Sequence, residues 1–208
     1  EVLRLCDEAR GLGLGAVCVN PQWVAACARR LSGSTVKVAS VVGFPLGACG
    51  SAAKAVEARL AAADGATELD VVAPIGWIRS GLWMQVADEL AMVTHAAGDL
   101  LVKLILETAV LTPAEVRRAG TIAIQAGIGM LKTSSGFHPA GGATEEAVRL
   151  LRDVAGEQVG VKASGGIRRP EEALAMLRAG ADRIGTSAAA GWTAALGAGS
   201  PPLEELLG

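Results

Sequence analysis

The 208-residue chain is 51% hydrophobic and 19% charged, which supplies one substantial core and argues against a disordered protein. Its 19 basic and 21 acidic side chains leave a net charge of −2, so nothing in the charge balance favours nucleic acid or an anionic membrane as partner. Four cysteines without a C-x-x-C pair, and two histidines, His95 and His138, form no zinc pattern, so no metal is expected.

The chain reads as helix from its first turn, with Val2, Leu3, Leu5, Cys6 and Ala9 at near-helical spacing. A helix entered without cap or lead-in is what truncation at the amino end would give. Short β-like runs follow at 16–19, 36–42, 68–72, 100–106, 129–132, 158–162 and 183–185. Alanine- and leucine-rich helical runs lie between them, among them 51–63, 82–97, 113–126, 144–154 and 170–179. Thr112-Pro113-Ala114-Glu115 offers a cap, a proline in the first turn and an early acid. Gly65 and Gly180 each follow an alanine-rich helix and suit a left-handed stop. The Gly/Pro-rich tail, 197–208, is expected to be loosely held. No linker interrupts the pattern, so residues 1–208 are read as one domain.

Strict strand–helix alternation implies a parallel sheet covered by helices. No G-x-G-x-x-G follows an early strand, which argues against a dinucleotide-binding sheet and against a dehydrogenase. Polar residues close the strands instead: Asn20, Asp70, Glu107, Lys132, Lys162 and Ser187. Polar groups at many strand ends are what a (β/α)8 TIM barrel needs for its site. Seven strands are visible, so the first strand of that barrel is expected to lie before Glu1.

Two lysines carry the strongest chemical signal. Lys132 and Lys162 are 30 residues apart (162 − 132), one strand–helix–strand unit, which puts them on adjacent strands about 4.8 Å apart. A free lysine, with a pKa of about 10.4, is a poor nucleophile at neutral pH. A cationic neighbour and partial burial lower that value, and the neutral amine can then attack a carbonyl to form a Schiff base. The competing reading makes both lysines solvated strand ends or carboxylate partners. Asp70 shares a strand face with Glu68 and could orient the lysines and relay protons. Lys103 lies mid-strand and would need Asp70 or Glu107 as partner, which makes it a supporting member of the charge network. Gly165, Gly166, Gly185 and Ser187 lie in loops whose backbone N–H groups suit a phosphate. Cys18 is read as a small core residue and His138 as a loop residue.

Taken together, these residues resemble the deoxyribose-phosphate aldolase family. The likeness runs through 17–21 (Val-Cys-Val-Asn-Pro), 42–47 (Val-Gly-Phe-Pro-Leu-Gly), 68–72 (Glu-Leu-Asp-Val-Val), 103–108 (Lys-Leu-Ile-Leu-Glu-Thr), 131–137 (Leu-Lys-Thr-Ser-Ser-Gly-Phe), 161–168 (Val-Lys-Ala-Ser-Gly-Gly-Ile-Arg) and 183–187 (Arg-Ile-Gly-Thr-Ser). The resemblance implies cleavage of 2-deoxy-D-ribose 5-phosphate to D-glyceraldehyde 3-phosphate and acetaldehyde, without a cofactor. It implies Lys132 as the Schiff-base lysine, Lys162 as its perturbing neighbour and Asp70 as the proton-relay carboxylate. It further implies substrate and phosphate contacts from Thr133, Ser135, Gly165, Gly166, Gly185 and Ser187, with Lys103 and Cys18 in support. Small phosphorylated sugars and aldehydes are the expected partners, with neither nucleic acid nor membrane. The address is cytoplasmic, and a homodimer is common in the family. The chain departs from the family pattern in lacking an opening Ile-Asp-His-Thr segment, in Ser135 where threonine is usual, in Ala73-Pro74 after the third visible strand, and in having no tyrosine. The alternatives are a class I aldolase with another acceptor, or a catalytically impaired barrel that binds a phosphorylated ligand.

Overall fold

A computed structural model describes residues 1–196, with side chains through Trp192; the expectation for the 197–208 tail lies outside the described residues. Seven parallel strands follow one another in sequence order: β1 (Ala16–Val19), β2 (Lys37–Val42), β3 (Glu68–Val72), β4 (Leu101–Ile105), β5 (Met130–Lys132), β6 (Gly160–Ser164) and β7 (Arg183–Gly185). Helices α1 (Val2–Gly11), α2 (Val24–Arg30), α3 (Ser51–Ala63), α4 (Ile75–Arg79), α5 (Trp83–Ala97), α6 (Pro113–Gln125), α7 (Glu145–Ala155), α8 (Pro170–Arg178) and α9 (Ala189–Leu196) connect and flank them.

The local signals act as their chemistry dictates. Thr112 and Glu115 form a reciprocal capping box at the start of α6. The Thr144 hydroxyl accepts from Ala147 N at the start of α7. Gly65 and Gly180 take φ of 98° and 108° just past the ends of α3 and α8, a conformation that penalises a Cβ.

Each strand has two faces with different contents. Val38, Val42, Leu69, Val71, Val102, Leu104, Leu131 and Val161 are buried in the core beneath the helices, with Ala58, Leu90, Val93, Val116 and Leu151. Each such valine or leucine side chain contributes about 1.5–3 kcal/mol on full burial. The other face holds Glu68, Asp70, Lys103, Lys132 and Lys162, all buried.

Contacts across that inner face show that the sheet is curled. Asp70 on β3 reaches Lys132 on β5 and Lys162 on β6, and Arg183 on β7 reaches Glu68 on β3. Distant strands meet in this way only when a sheet wraps toward a barrel. Among the described residues no pairing joins β1 to β7. Instead α1, β1 and the end of β7 border a cleft of 410 Å³. Among the described residues the architecture is a TIM-type α/β barrel with seven strands in place of eight.

One expected boundary is corrected. β6 begins at Gly160 and runs on to Ser164 rather than closing at Lys162. The extension has a cause: Ser164 N donates to Thr133 Oγ1 at 3.1 Å, which keeps the backbone paired beyond the lysine. Lys162 therefore stands inside its strand, with its side chain in the barrel.

Candidate active site

Strand register builds the site. Lys132 pairs with Lys162, and Lys162 with Arg183, so three cationic side chains occupy one level of adjacent parallel strands. Asp70 pairs with Lys103 one level deeper. Like charges this close require a counterion, and Asp70 supplies it. Its Oδ2 accepts from Lys132 Nζ at 2.6 Å and from Lys162 Nζ at 2.7 Å, while its Oδ1 accepts from Lys103 Nζ at 2.7 Å.

The chain of ion pairs continues through Glu68. Its Oε2 lies 2.7 Å from Lys103 Nζ and 2.6 Å from Arg183 Nη1. Four cations thus share two carboxylates. Glu68 was noted in the sequence only as sharing a face with Asp70, and Arg183 was not singled out. The signal for Arg183 was its place in the run of aligned strands, beside Lys162. Glu107, offered as a partner for Lys103, instead holds Ser135.

The electrostatics follow from burial and neighbours. Burial pushes Lys132 below the ordinary lysine value; Asp70 opposes this, and the Lys162 charge adds to it. Burial pushes the Asp70 carboxyl up, but Lys132, Lys162 and Lys103 overcome that and hold it well below the usual carboxylate range. Burial likewise pushes Glu68 up, and Lys103 with Arg183 brings it below the ordinary value. The arrangement holds Asp70 ionised and favours loss of a proton from Lys132.

Lys132 also has access. It is 5% exposed, yet it lines a cavity of 540 Å³ with Cys18, Asn20, Phe44, Ser135 and Phe137. Cys18 corrects the core expectation: it is exposed and faces the barrel interior, with Sγ 3.9 Å from Asp70 Oδ2. The cause is its place on β1, beside the open cleft between the first and last strands. The protein packed around its sulfur pushes the thiol's pKa up, and the Asp70 charge adds to this.

The expected phosphate and substrate contacts separate. Gly185 and Ser187 line the 410 Å³ cleft with Lys162 and Arg183. A Cβ on Gly185 would come within 3.1 Å of Lys162 Cε, so this glycine makes room for the lysine. Gly165 packs against Gly136 and Gly142, whereas nothing lies within 4 Å of a Cβ built on Gly166. The Thr186 hydroxyl donates to Ile167 O at 2.7 Å and ties the two glycine loops together. Thr133 is fully buried, and its hydroxyl donates to Ser164 O at 3.1 Å, so it braces the ends of β5 and β6. His138 sits exposed in a loop, with Nδ1 accepting from Ala140 N at 3.1 Å. Among the described residues no group of three His, Cys, Asp or Glu side chains could hold a metal ion, and no helix is long and apolar enough to cross a membrane.

Buried lysines in register on one carboxylate and facing a cavity are the arrangement that imine chemistry requires. Comparison with known proteins agrees. The family model for DeoC/LacD family aldolases matches residues 1–197. The chain belongs to the DeoC/LacD aldolase family. It is 51% identical over 184 residues to the deoxyribose-phosphate aldolase of Brevibacillus brevis, covering 88% of this chain and 83% of that one. Among solved structures, the aldolase QR15 superposes with a TM-score of 0.87 at 41% identity, covering 91% of this chain and 85% of that one. The deoxyribose phosphate aldolase of Aeropyrum pernix, described as tetrameric, gives 0.80 at 33% identity, covering 90% and 80%. For this DeoC/LacD family aldolase, the lysine cluster is the candidate catalytic centre.

Proposed function

We propose that this aldolase reversibly cleaves 2-deoxy-D-ribose 5-phosphate to D-glyceraldehyde 3-phosphate and acetaldehyde through a Schiff base on Lys132. The observation that carries the reading is the Lys132–Asp70–Lys162 contact set beside the 540 Å³ cavity. Both lysines meet one carboxylate oxygen, but it is Lys132 whose side chain lines that cavity.

The steps follow from this geometry. Neutral Lys132 attacks the open-chain aldehyde carbon, and loss of water gives the protonated imine. The C3 hydroxyl gives up its proton while the C2–C3 bond breaks, and the electron pair moves into the imine to form an enamine. Glyceraldehyde 3-phosphate departs. Protonation of the enamine at C2 and hydrolysis release acetaldehyde and restore the amine. Lys162 helps keep Lys132 deprotonated. Asp70, ionised and within hydrogen-bond distance of both lysines, can orient the amine and pass protons through water.

The phosphate of the sugar is assigned to the loop face bounded by Gly166, Gly185 and Ser187, with Lys162 and Arg183 supplying positive charge nearby. Ser135 forms part of the wall of the Lys132 cavity, and Thr133 and Lys103 act as supports. The cytoplasm is the proposed location.

One observation favours a second reading. The 410 Å³ cleft between β1 and β7 opens the barrel beside Lys162, and such a site could bind a phosphorylated ligand without turning it over. A single experiment separates the two. Borohydride added with acetaldehyde should leave an ethyl group on Lys132, located by peptide mass spectrometry, and Lys132→Ala should lose it together with the cleavage activity. An adduct on another lysine, or none in the folded protein, would overturn the Schiff-base reading.

A further inference from the structure

The wall between the Lys132 cavity and the cavity beside it rests on one residue that the lysine chemistry does not use. Just past the end of β4, Glu107 adopts φ 50° and ψ 57°, the one positive φ at a non-glycine among the described residues. Left-handed backbone costs a Cβ-bearing residue about 1–2 kcal/mol and persists only where its surroundings hold it. Those surroundings are the loop that follows Lys132. Leu106 N donates to Lys132 O at 3.0 Å, and Thr108 N to Thr133 O at 2.9 Å, so both neighbours of Glu107 are fastened to that loop.

The Glu107 side chain continues the same attachment. Glu107 is 3% exposed. Ser135 Oγ donates to Oε2 at 2.5 Å, and Ser135 N lies 3.3 Å from each carboxylate oxygen. Ser135 Oγ in turn accepts from Phe137 N at 3.1 Å. The Phe137 ring stands edge-on to Phe44, with centroids 5.2 Å apart. Ser135 and Phe137 line the 540 Å³ cavity that holds Lys132. They also line a second cavity of 440 Å³, which Glu107, Leu46 and Val110 line as well, and Phe137, 72% exposed, stands at the rim the two cavities share.

We infer that Glu107 is a specificity-determining positioning residue: by clamping Ser135 it holds Phe137 as a partition between the Lys132 cavity and the largely apolar cavity beside it, and so limits the size of aldehyde accepted. The inference rests on the proposed Schiff base at Lys132. With the clamp closed, the reacting cavity suits a short polar aldehyde. With the clamp open, Phe137 can swing away from Phe44, and the two cavities join into one that accommodates an aliphatic chain.

The test is aldol addition of acetaldehyde to two acceptors, D-glyceraldehyde 3-phosphate and hexanal. Glu107→Asn tolerates the left-handed backbone but is too short to reach Ser135, so it separates the clamp from the strain. In Glu107→Asn and in Ser135→Ala, the kcat/KM ratio of hexanal to the phosphorylated acceptor should rise about tenfold or more, the scale expected when a pocket gains room for methylenes. KM for the phosphorylated acceptor should rise more than kcat falls. The double variant should not exceed Glu107→Asn, because Ser135→Ala removes only the hydroxyl part of a clamp that Glu107→Asn removes whole. An unchanged ratio in folded variants, or independent multiplication in the double variant, would overturn the inference. If Glu107→Asn does not fold, Ser135→Ala reads the same ratio with Glu107 intact. Borohydride trapping on the unaltered protein keeps the two readings apart: no adduct there refutes the Schiff base, whereas an adduct with an unmoved ratio refutes the clamp alone.

Discussion

Two clusters of buried charge meet β3 from opposite sides. On the helix side, Lys54 of α3 donates to Glu89 Oε1 of α5 at 2.5 Å and to Val72 O at 2.9 Å, and Ser51 Oγ donates to Glu89 Oε2 at 2.9 Å. One cation meets one carboxylate, and both are essentially unexposed. On the barrel side, Lys103, Lys132, Lys162 and Arg183 share Glu68 and Asp70, and Lys132 borders a cavity. A matched pair of one cation and one carboxylate serves the fold. In the crowded cluster burial makes Lys132 easier to deprotonate, the Lys162 charge adds to this, and a cavity lets that lysine meet a substrate. Burial alone therefore does not mark the reactive lysine; charge imbalance together with access does.

The sharpest way to break this comparison is to remove part of the imbalance. Lys162→Met takes away a positive charge that lowers Lys132 and leaves Asp70 Oδ2 to Lys132 alone. Both changes favour the charged ammonium, so its pKa rises. The form that attacks the carbonyl is the neutral one, so the rising limb of the kcat/KM–pH profile should move to higher pH. At pH 7 the loss should be about 10²-fold or more. A limb that stays in place would mean that Lys162 does not set the protonation of the nucleophile.

The same comparison explains what the sequence made legible. Strand–helix alternation gave the order of all seven strands, because each strand's outer face must be apolar to lie under helices. Lys132 and Lys162 could be placed side by side because parallel strands one unit apart take nearly fixed register. Glu68–Arg183 could not, since that pair spans the barrel from β3 to β7 and depends on how far the sheet curls. Lys54 and Glu89 were hidden for a related reason. Each reads as an ordinary charged residue on a helix surface, and only the close packing of α3 on α5 buries them together. Cys18 was misplaced because local pattern marks a small residue on a strand as core, whereas its exposure depends on the open side of β1.

The matched pair predicts a different kind of damage. Lys54→Met leaves Glu89 buried without its cation, which should cost about 3–5 kcal/mol of stability in urea unfolding. In the fraction that remains folded, the kcat/KM–pH profile should keep its position, because Lys54 is bound to the helix side of β3 and does not touch the Asp70 cluster. A shift of the limb comparable to that of Lys162→Met would erase the distinction between the two clusters.

The smallest effect tests how far the reactive cluster extends. Cys18 Sγ is 3.9 Å from Asp70 Oδ2, near enough to count as a neighbour of the lysines. Its pKa is pushed up, so near neutral pH it stays a thiol and adds no charge to the balance. Its bond to Asp70 is a weak one of the S–H type. Cys18→Ala should therefore cost less than about 1 kcal/mol of stability and leave the pH limb in place. The reason lies in the count of charges: Asp70 keeps all three lysine contacts when the sulfur is removed, and the excess of cations over carboxylates is unaltered. A clear movement of the limb in Cys18→Ala would mean that the sulfur carries part of the negative charge facing Lys132. Cys18 would then have to be counted with Asp70 among the charges that oppose the lowering of Lys132 by burial.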